Sequence, residues 1–202
     1  MRVNYLIPMS LVLIMLLPTV IAENIEVDLS LEPSIADYDV GIINAAMSPD
    51  ENTVLVSGQD GYIHLISARN PGDRSQDVEL NSARDNDLRD IAWHPRGETA
   101  LIAGDFGTAL RYEKVDHSVT IVNGTGAILG RDMSAVEWRS AGDYAYFASK
   151  DGSVWRFSEG TGFMHLGNDV NSEITSISCH INYDICVVST LSSGLGVIGP
   201  TH

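Results

Sequence analysis

From about residue 39 onward, apolar and polar positions alternate in short runs separated by turn residues. Ile42, Asn44 and Ala46 oppose Ile43, Ala45 and Met47, and Leu88, Asp90 and Ala92 oppose Arg89, Ile91 and Trp93. A period of two is the signature of β-strands buried on one or both faces. The pattern returns four times, pivoting on Met47, Trp93, Trp138 and Cys179, at intervals of 46, 45 and 41 residues. Each copy reads as strand, tight turn, strand, tight turn, strand. The first turns carry Pro49, Pro95 with Gly97, and Gly142; the second carry Asp60-Gly61, Gly107 and Asp151-Gly152. These are residues that fix φ or tolerate positive φ in hairpins. The spacers Asp77 to Leu80, Ser118 to Val122 and Phe163 to Leu166 alternate as well, which predicts a fourth, more exposed strand per unit. One such sheet cannot bury both faces alone, so neighbouring units must stack.

The strings AMSPDENTVLVSGQDGYIHLIS, AWHPRGETALIAGDFG and SKDGSVWRFS resemble β-propellers of the tryptophan–aspartate (WD) repeat type. The resemblance covers about residues 39–198. It implies an all-β chain with about four visible four-stranded antiparallel blades, near 39–80, 85–122, 131–167 and 173–198. Where that family places Trp-Asp, this chain has Ile66-Ser67, Tyr112-Glu113 and Phe157-Ser158, and no Gly-His pair precedes a first strand. The family's buried Asp-His-Ser-Trp network is therefore not expected. Propellers use 4 to 8 blades, which leaves three arrangements open. Residues 25–31, alternating Ile25, Val27, Leu29 and Leu31, would supply an outer strand to the last repeat and close a four-bladed ring. The chain would otherwise be a partial arc of a larger ring, as the fourth repeat ending without its outer strand suggests; this is the favoured reading, because an open arc on its own would expose strand faces and invite association. Or two open arcs would associate into one ring.

The N-terminus is read separately. Arg2, the apolar run Tyr5 to Val20 and the small-residue exit at Ala22 read as a secretory signal peptide, residues 1–22, with 23–202 as the propeller domain. Pro8 and Pro18 interrupt the run, and it is shorter than the ~20 residues of a spanning helix. The expectation is an exported, extracytoplasmic chain that does not contact the membrane once cleaved. With a net charge of −15, nucleic acid is excluded as a partner, because a phosphate backbone is held by clustered cations.

The two cysteines fall at equivalent hairpin positions. Cys179 aligns with Met47, Trp93 and Trp138, and Cys186 with Val54, Ala100 and Ala145. If the two positions face each other across adjacent antiparallel strands, a small adjustment brings them to bonding distance. An oxidising exterior favours the bond, so a Cys179–Cys186 disulfide is expected.

Catalytic signatures are absent: there is no Gly-x-Ser-x-Gly elbow, no His-Glu-x-x-His and no phosphate loop. Gly124, Gly126 and Gly130 lack dinucleotide-fingerprint spacing, and His94 belongs to a Trp-His-Pro turn. One constellation remains. Six residues before each pivot stand Gly41, Asp87, Asp132 and Glu173, with Asp37, Asp39, Asp85 and Asp169 nearby. Equivalent carboxylates at the mouth of a channel would hold a hard cation such as calcium or dock a basic peptide. The competing reading is that Asp favours strand starts and turns. Asn123-Gly124-Thr125 is a glycosylation sequon, and no dedicated cofactor or metal site is expected. Two function classes follow. One is a non-catalytic scaffold presenting residues 81–90, 124–132 and 167–173 to a protein or an envelope glycan. The other is an exported hydrolase or lyase that uses channel carboxylates as acid and base.

Overall fold

A computed structural model describes residues 41–70, 73–167 and 170–199. The expected signal peptide, the Ile25–Leu31 strand, Asp37, Asp39 and Asp169 lie outside these residues. Blade I contains β1 (Ile42–Met47), β2 (Thr53–Gly58), β3 (Ile63–Ser67) and β4 (Val78–Leu80). Blade II contains β5 (Leu88–Trp93), β6 (Thr99–Gly104), β7 (Thr108–Glu113) and β8 (Ser118–Ile121). Blade III contains β9 (Met133–Trp138), β10 (Ala145–Ser149), β11 (Val154–Ser158) and β12 (Gly162–Gly167). Blade IV contains β13 (Ile174–Cys179), β14 (Cys186–Thr190) and β15 (Leu195–Ile198). Each blade is an antiparallel meander in sequence order. Blades I to III have the expected four strands, and blade IV has three among the described residues.

The pivot residues explain the register. Met47 pairs with Val54, Trp93 with Ala100, Trp138 with Ala145, and Cys179 with Cys186. Large faces small across each first hairpin, and in blade IV that pair is the disulfide. The side chain after the pivot then organises the turn. Ser48 Oγ accepts the Thr53 amide, and the Nδ1 atoms of His94 and His180 accept the amides of Arg96 and Asn182. Every innermost strand also shifts register at the same place, at residues 42–44, 88–90, 133–135 and 174–176. A bulge repeated four times is a built feature that bends the strand where the blades converge.

Three apolar clusters hold the blades together, one per junction. Leu55, Ile63 and Leu80 meet Leu88, Ile102 and Tyr112 between blades I and II. Leu101, Ala103 and Ala109 meet Trp138, Phe147 and Phe157 between II and III. Ala135, Tyr146 and Val154 meet Ile174, Ile177 and Val188 between III and IV. At ~25 cal/mol per Å² of apolar surface buried, these clusters dominate the folding energy. Polar bonds register them: Trp93 Nε1 donates to the Ala46 carbonyl, His94 Nε2 meets the Gly142 carbonyl at 2.9 Å, and Tyr144 donates to Asp184. Because His94 Nδ1 already accepts the Arg96 amide, the Nε2 must carry the proton given to Gly142. Among the described residues, no cluster, hydrogen bond or ion pair joins blade IV to blade I.

Glycine is required where a linker crosses a hairpin. Gly61, Gly107 and Gly152 all have positive φ, and a Cβ on each would lie 1.8, 2.4 and 1.8 Å from the carbonyls of Arg84, Ile128 and Val170. In blade IV the same position is Ser193.

Candidate functional site

The second hairpins and the interblade linkers share one end of the blades, and the candidate carboxylates Asp87 and Asp132 lie there. The four residues six before each pivot use their backbones first. The carbonyls of Gly41, Asp87, Asp132 and Glu173 accept the amides of Gln59, Asp105, Lys150 and Leu191. This shared bond ties each linker to the end of its own second strand, and it needs no carboxylate.

The carboxylates themselves are engaged by cations and amides. Arg89 donates from Nε and Nη2 to both oxygens of Asp105, at 2.6 and 2.5 Å, and its Nη2 lies 3.3 Å from Asp87. Lys150 reaches Asp105 from blade III at 3.3 Å, and Arg131 pairs with Asp151. Asp132 Oδ1 accepts the Phe106 amide at 3.2 Å. The face is thus a chain of alternating charges across blades II and III. The Arg89 fork and Lys150 hold the Asp105 carboxyl below its ordinary value despite partial burial, and Asp105, Asp87 and Asp132 together raise the Arg89 guanidinium. Asp85 is exposed and Glu173 half-buried, and neither joins this network. Among the described residues, no three His, Cys, Asp or Glu stand together as a metal-holding group. Asn123 is exposed and followed by Gly124 in the left-handed region.

Alternation and charge counting do not reveal Phe106. It occupies the tip of the β6–β7 hairpin with φ 57° and ψ 31°, and it is 66% exposed. A bulky residue in the left-handed region is uncommon and costs about 1–2 kcal/mol. The equivalent position in blade I is Asp60, at φ 53° and ψ 34°, a residue suited to that turn. Three bonds hold the Phe106 tip. Asp132 takes its amide, its carbonyl accepts the Gly130 amide, and Gly107 donates to the Arg131 carbonyl. The same linker carries Leu129, which is also exposed. The signal readable in the sequence was Asp-Phe-Gly where Gln-Asp-Gly stands in blade I.

A second polar site lies where the innermost strands converge. A cavity of about 320 Å³ is lined by residues of all four inner strands, including Asn44, Asp90, Ser134, Glu137 and Thr175. Asp90 bridges three blades. Its Oδ1 accepts from Asn44 Nδ2 at 2.9 Å and its Oδ2 from the Val136 amide at 2.8 Å. Burial raises its carboxyl to about 6 against those bonds. Burial, and then repulsion from Asp90, raises Glu137 to about 7.

No protein-family model matches the chain. No curated protein matches it either. Among solved structures it is similar to the β-propeller domain of Cps50 (Swd1) from Myceliophteria thermophila. That match has a TM-score of 0.67 and 12% identity, over 90% of this chain and 62% of that one. It is also similar to the WD40 repeats of RRP9, with a TM-score of 0.61 and 15% identity, over 76% of this chain and 46% of that one. The chain spans less than two thirds of either structure. At these identities the likeness is one of fold, and that fold is the WD-repeat β-propeller expected from the repeats.

Proposed function

We propose that the chain is a non-catalytic binding scaffold that docks a protein through the loop face of blades II and III, with Phe106 as its anchor. The observation that carries this reading is the strained, exposed conformation of Phe106. Backbone strain persists where the surroundings over-determine it and clusters at recognition sites. Exposed Phe106 and Leu129, on hairpins and linkers that also carry the paired charges Arg89, Asp105, Arg131 and Lys150, have the composition of an interface centre with a polar rim. A protein partner fits better than an envelope glycan, because apolar contact at Leu129 offers a sugar little to bond. The reading extends to export: the apolar leader of residues 1–22 and the Cys179–Cys186 bond both suit an oxidising exterior. Among the described residues, no helix is long and apolar enough to cross a membrane. Calcium at the mouth is the weaker proposal, since Asp87 and Asp132 are already engaged by Arg89 and an amide.

A photo-reactive phenylalanine at Phe106, compared with one at Val115 in the β7–β8 turn at the opposite end of the same blade, tests the reading. Protein adducts at 106 and not at 115 are expected. Equal labelling, or none at 106, refutes it. The enzyme alternative would draw on Asp90 and Glu137, but both Asp90 oxygens are held by Asn44 and Val136. Turnover of any member of a sugar and lactone panel would revive it.

A further inference from the structure

The cavity of about 320 Å³ among the innermost strands holds charges that do not balance. Arg89, Asp90 and Glu137 are the charged residues that line it. Arg89 turns Nε and Nη2 to Asp105, and together with Asp87 and Lys150 these two form a network that is neutral as a whole. Asp90 receives only neutral donors, from Asn44 Nδ2 and the amides of Ile91 and Val136. Glu137 meets neither a donor nor a cation among the described residues. Two carboxylates therefore share one cavity, and the only cation in its lining is already engaged.

Packing does not call for the second of these carboxylates. Glu137 immediately precedes the pivot Trp138, and the same position holds Ala46 in blade I and Ala92 in blade II. Ala92 is buried in the cluster between blades II and III, and Ala46 packs on the cluster between I and II. Where a methyl group serves twice, blade III places a partly buried carboxylate in a cavity shared with Thr175, Ser176 and Ile177 of β13. A charge taken out of water without a partner costs free energy that a bound cation returns. The rest of the chain has little to set against the pair. Outside the described residues it contributes one arginine, Arg2, and one histidine, His202, against seven acidic residues. A metal ion fits the lining poorly as well. Among the described residues no three His, Cys, Asp or Glu stand together, and the side chains of Ile91, Val136 and Ile177 give an ion no oxygen ligand.

We propose that this cavity binds a small aliphatic diamine. One ammonium pairs with Glu137 and the other with Asp90, while the methylene chain lies along Ile91, Val136 and Ile177. An ionised carboxylate accepts at about four positions, so the three bonds that Asp90 already receives leave room for an ammonium. Apolar walls with a few convergent polar groups are the usual make-up of a small-molecule site, and they suit an alkyl chain with charged ends better than a bare ion. The site is separate from Phe106 on the loop face.

Calorimetric titration of the full chain with 1,4-diaminobutane, at pH 8 and about 0.15 M salt to screen the exposed surface charge, tests the proposal. Saturable one-to-one binding is expected. It should be weaker by about tenfold or more for 1-aminobutane, which has one charge, and absent for 1,4-butanediol, which has none. Glu137→Gln, isosteric and neutral, should weaken the diamine by about tenfold or more. Ser176→Lys, at an exposed position of the same lining, supplies an ammonium from the chain itself and should weaken it by a like factor. Thermal unfolding without ligand verifies that both variants fold. No binding, binding shared equally by the diol, binding only at low salt, or binding unchanged in either variant overturns the proposal. Displacement of the diamine by equimolar calcium does so too, because the cavity would then be a metal site. None of these outcomes touches the Phe106 labelling result.

Discussion

Glu137→Gln should stabilise the protein at neutral and higher pH, although the residue lies in a polar channel. The Glu137 carboxylate meets no hydrogen-bond donor or cation among the described residues, and it shares its cavity with Asp90. Burial, then the Asp90 charge, raises its carboxyl from 4.5 to about 7. The ionised form is therefore less favourable in the folded chain than in the unfolded one. The contribution of Glu137 to stability is complete below about pH 4.5 and is lost as pH rises through about 7. A difference of that size corresponds to an upper bound of about 3 kcal/mol, at 1.36 kcal/mol per pH unit. Partial exposure of the residue screens the charge and reduces this to about 1–2 kcal/mol. Glutamine is isosteric and neutral at every pH, so the variant should match the parent near pH 4 and exceed it by about 1–2 kcal/mol at pH 8. Urea unfolding followed by tryptophan fluorescence at pH 4, 6 and 8 reads this as a midpoint shift of roughly 0.5–1 M at pH 8 for an ordinary slope. Trp138, next in sequence, is buried at the blade II–III junction and reports on unfolding there. A constant difference between pH 4 and 8, or a variant less stable than the parent at pH 8, would refute the reasoning.

Three further outcomes are expected. Phe106→Asn places a residue that tolerates the left-handed region at φ 57° and should raise stability by about 0.5–1 kcal/mol while abolishing partner adducts formed from a photo-reactive group placed at the exposed Leu129; a loss of stability in thermal unfolding would show that Phe106 is structural. Reduction of the Cys179–Cys186 bond, whose cysteines are seven residues apart, should cost about 2 kcal/mol by loop-closure entropy, seen as a lower thermal midpoint with reductant and no change in a Cys179→Ser, Cys186→Ser double variant. Gly107→Ala forces a Cβ to 2.4 Å from the Ile128 carbonyl at φ +76° and should cost more than about 1 kcal/mol, whereas Gly126→Ala, where nothing lies within 4 Å, should leave the unfolding midpoint in place.

The blades were legible because their determinants are local. Alternation set which residues share a face, the turn residues set the hairpins, and the constant spacing from pivot to partner set the register. Those three facts suffice to place Cys179 opposite Cys186 and to count three complete outer strands and one missing. The acidic mouth was legible only in part. Asp87 and Asp132 do lie at equivalent backbone positions, but residues that are distant in sequence occupy their charges. Arg89 lies two residues from Asp87 yet turns both prongs of its fork to Asp105, and Lys150 arrives from the next blade. A carboxylate's role depends on which cations the fold brings within about 4 Å, and no periodicity encodes that.

By itself, then, the sequence determined the repeat, the strand pairing and the disulfide, because each depends on neighbours within one hairpin. Only the tertiary structure decided the rest. Stacking of blades buried Asp90 beneath Asn44 and Val136 and left Glu137 without a partner. The linker of residues 128–132 pinned Phe106 in a left-handed turn. Packing of blade IV on blade III buried Ile174 and Val188 against Ala135 and Tyr146. These features arise where one blade meets the next, and they depend on long-range packing that local pattern does not carry.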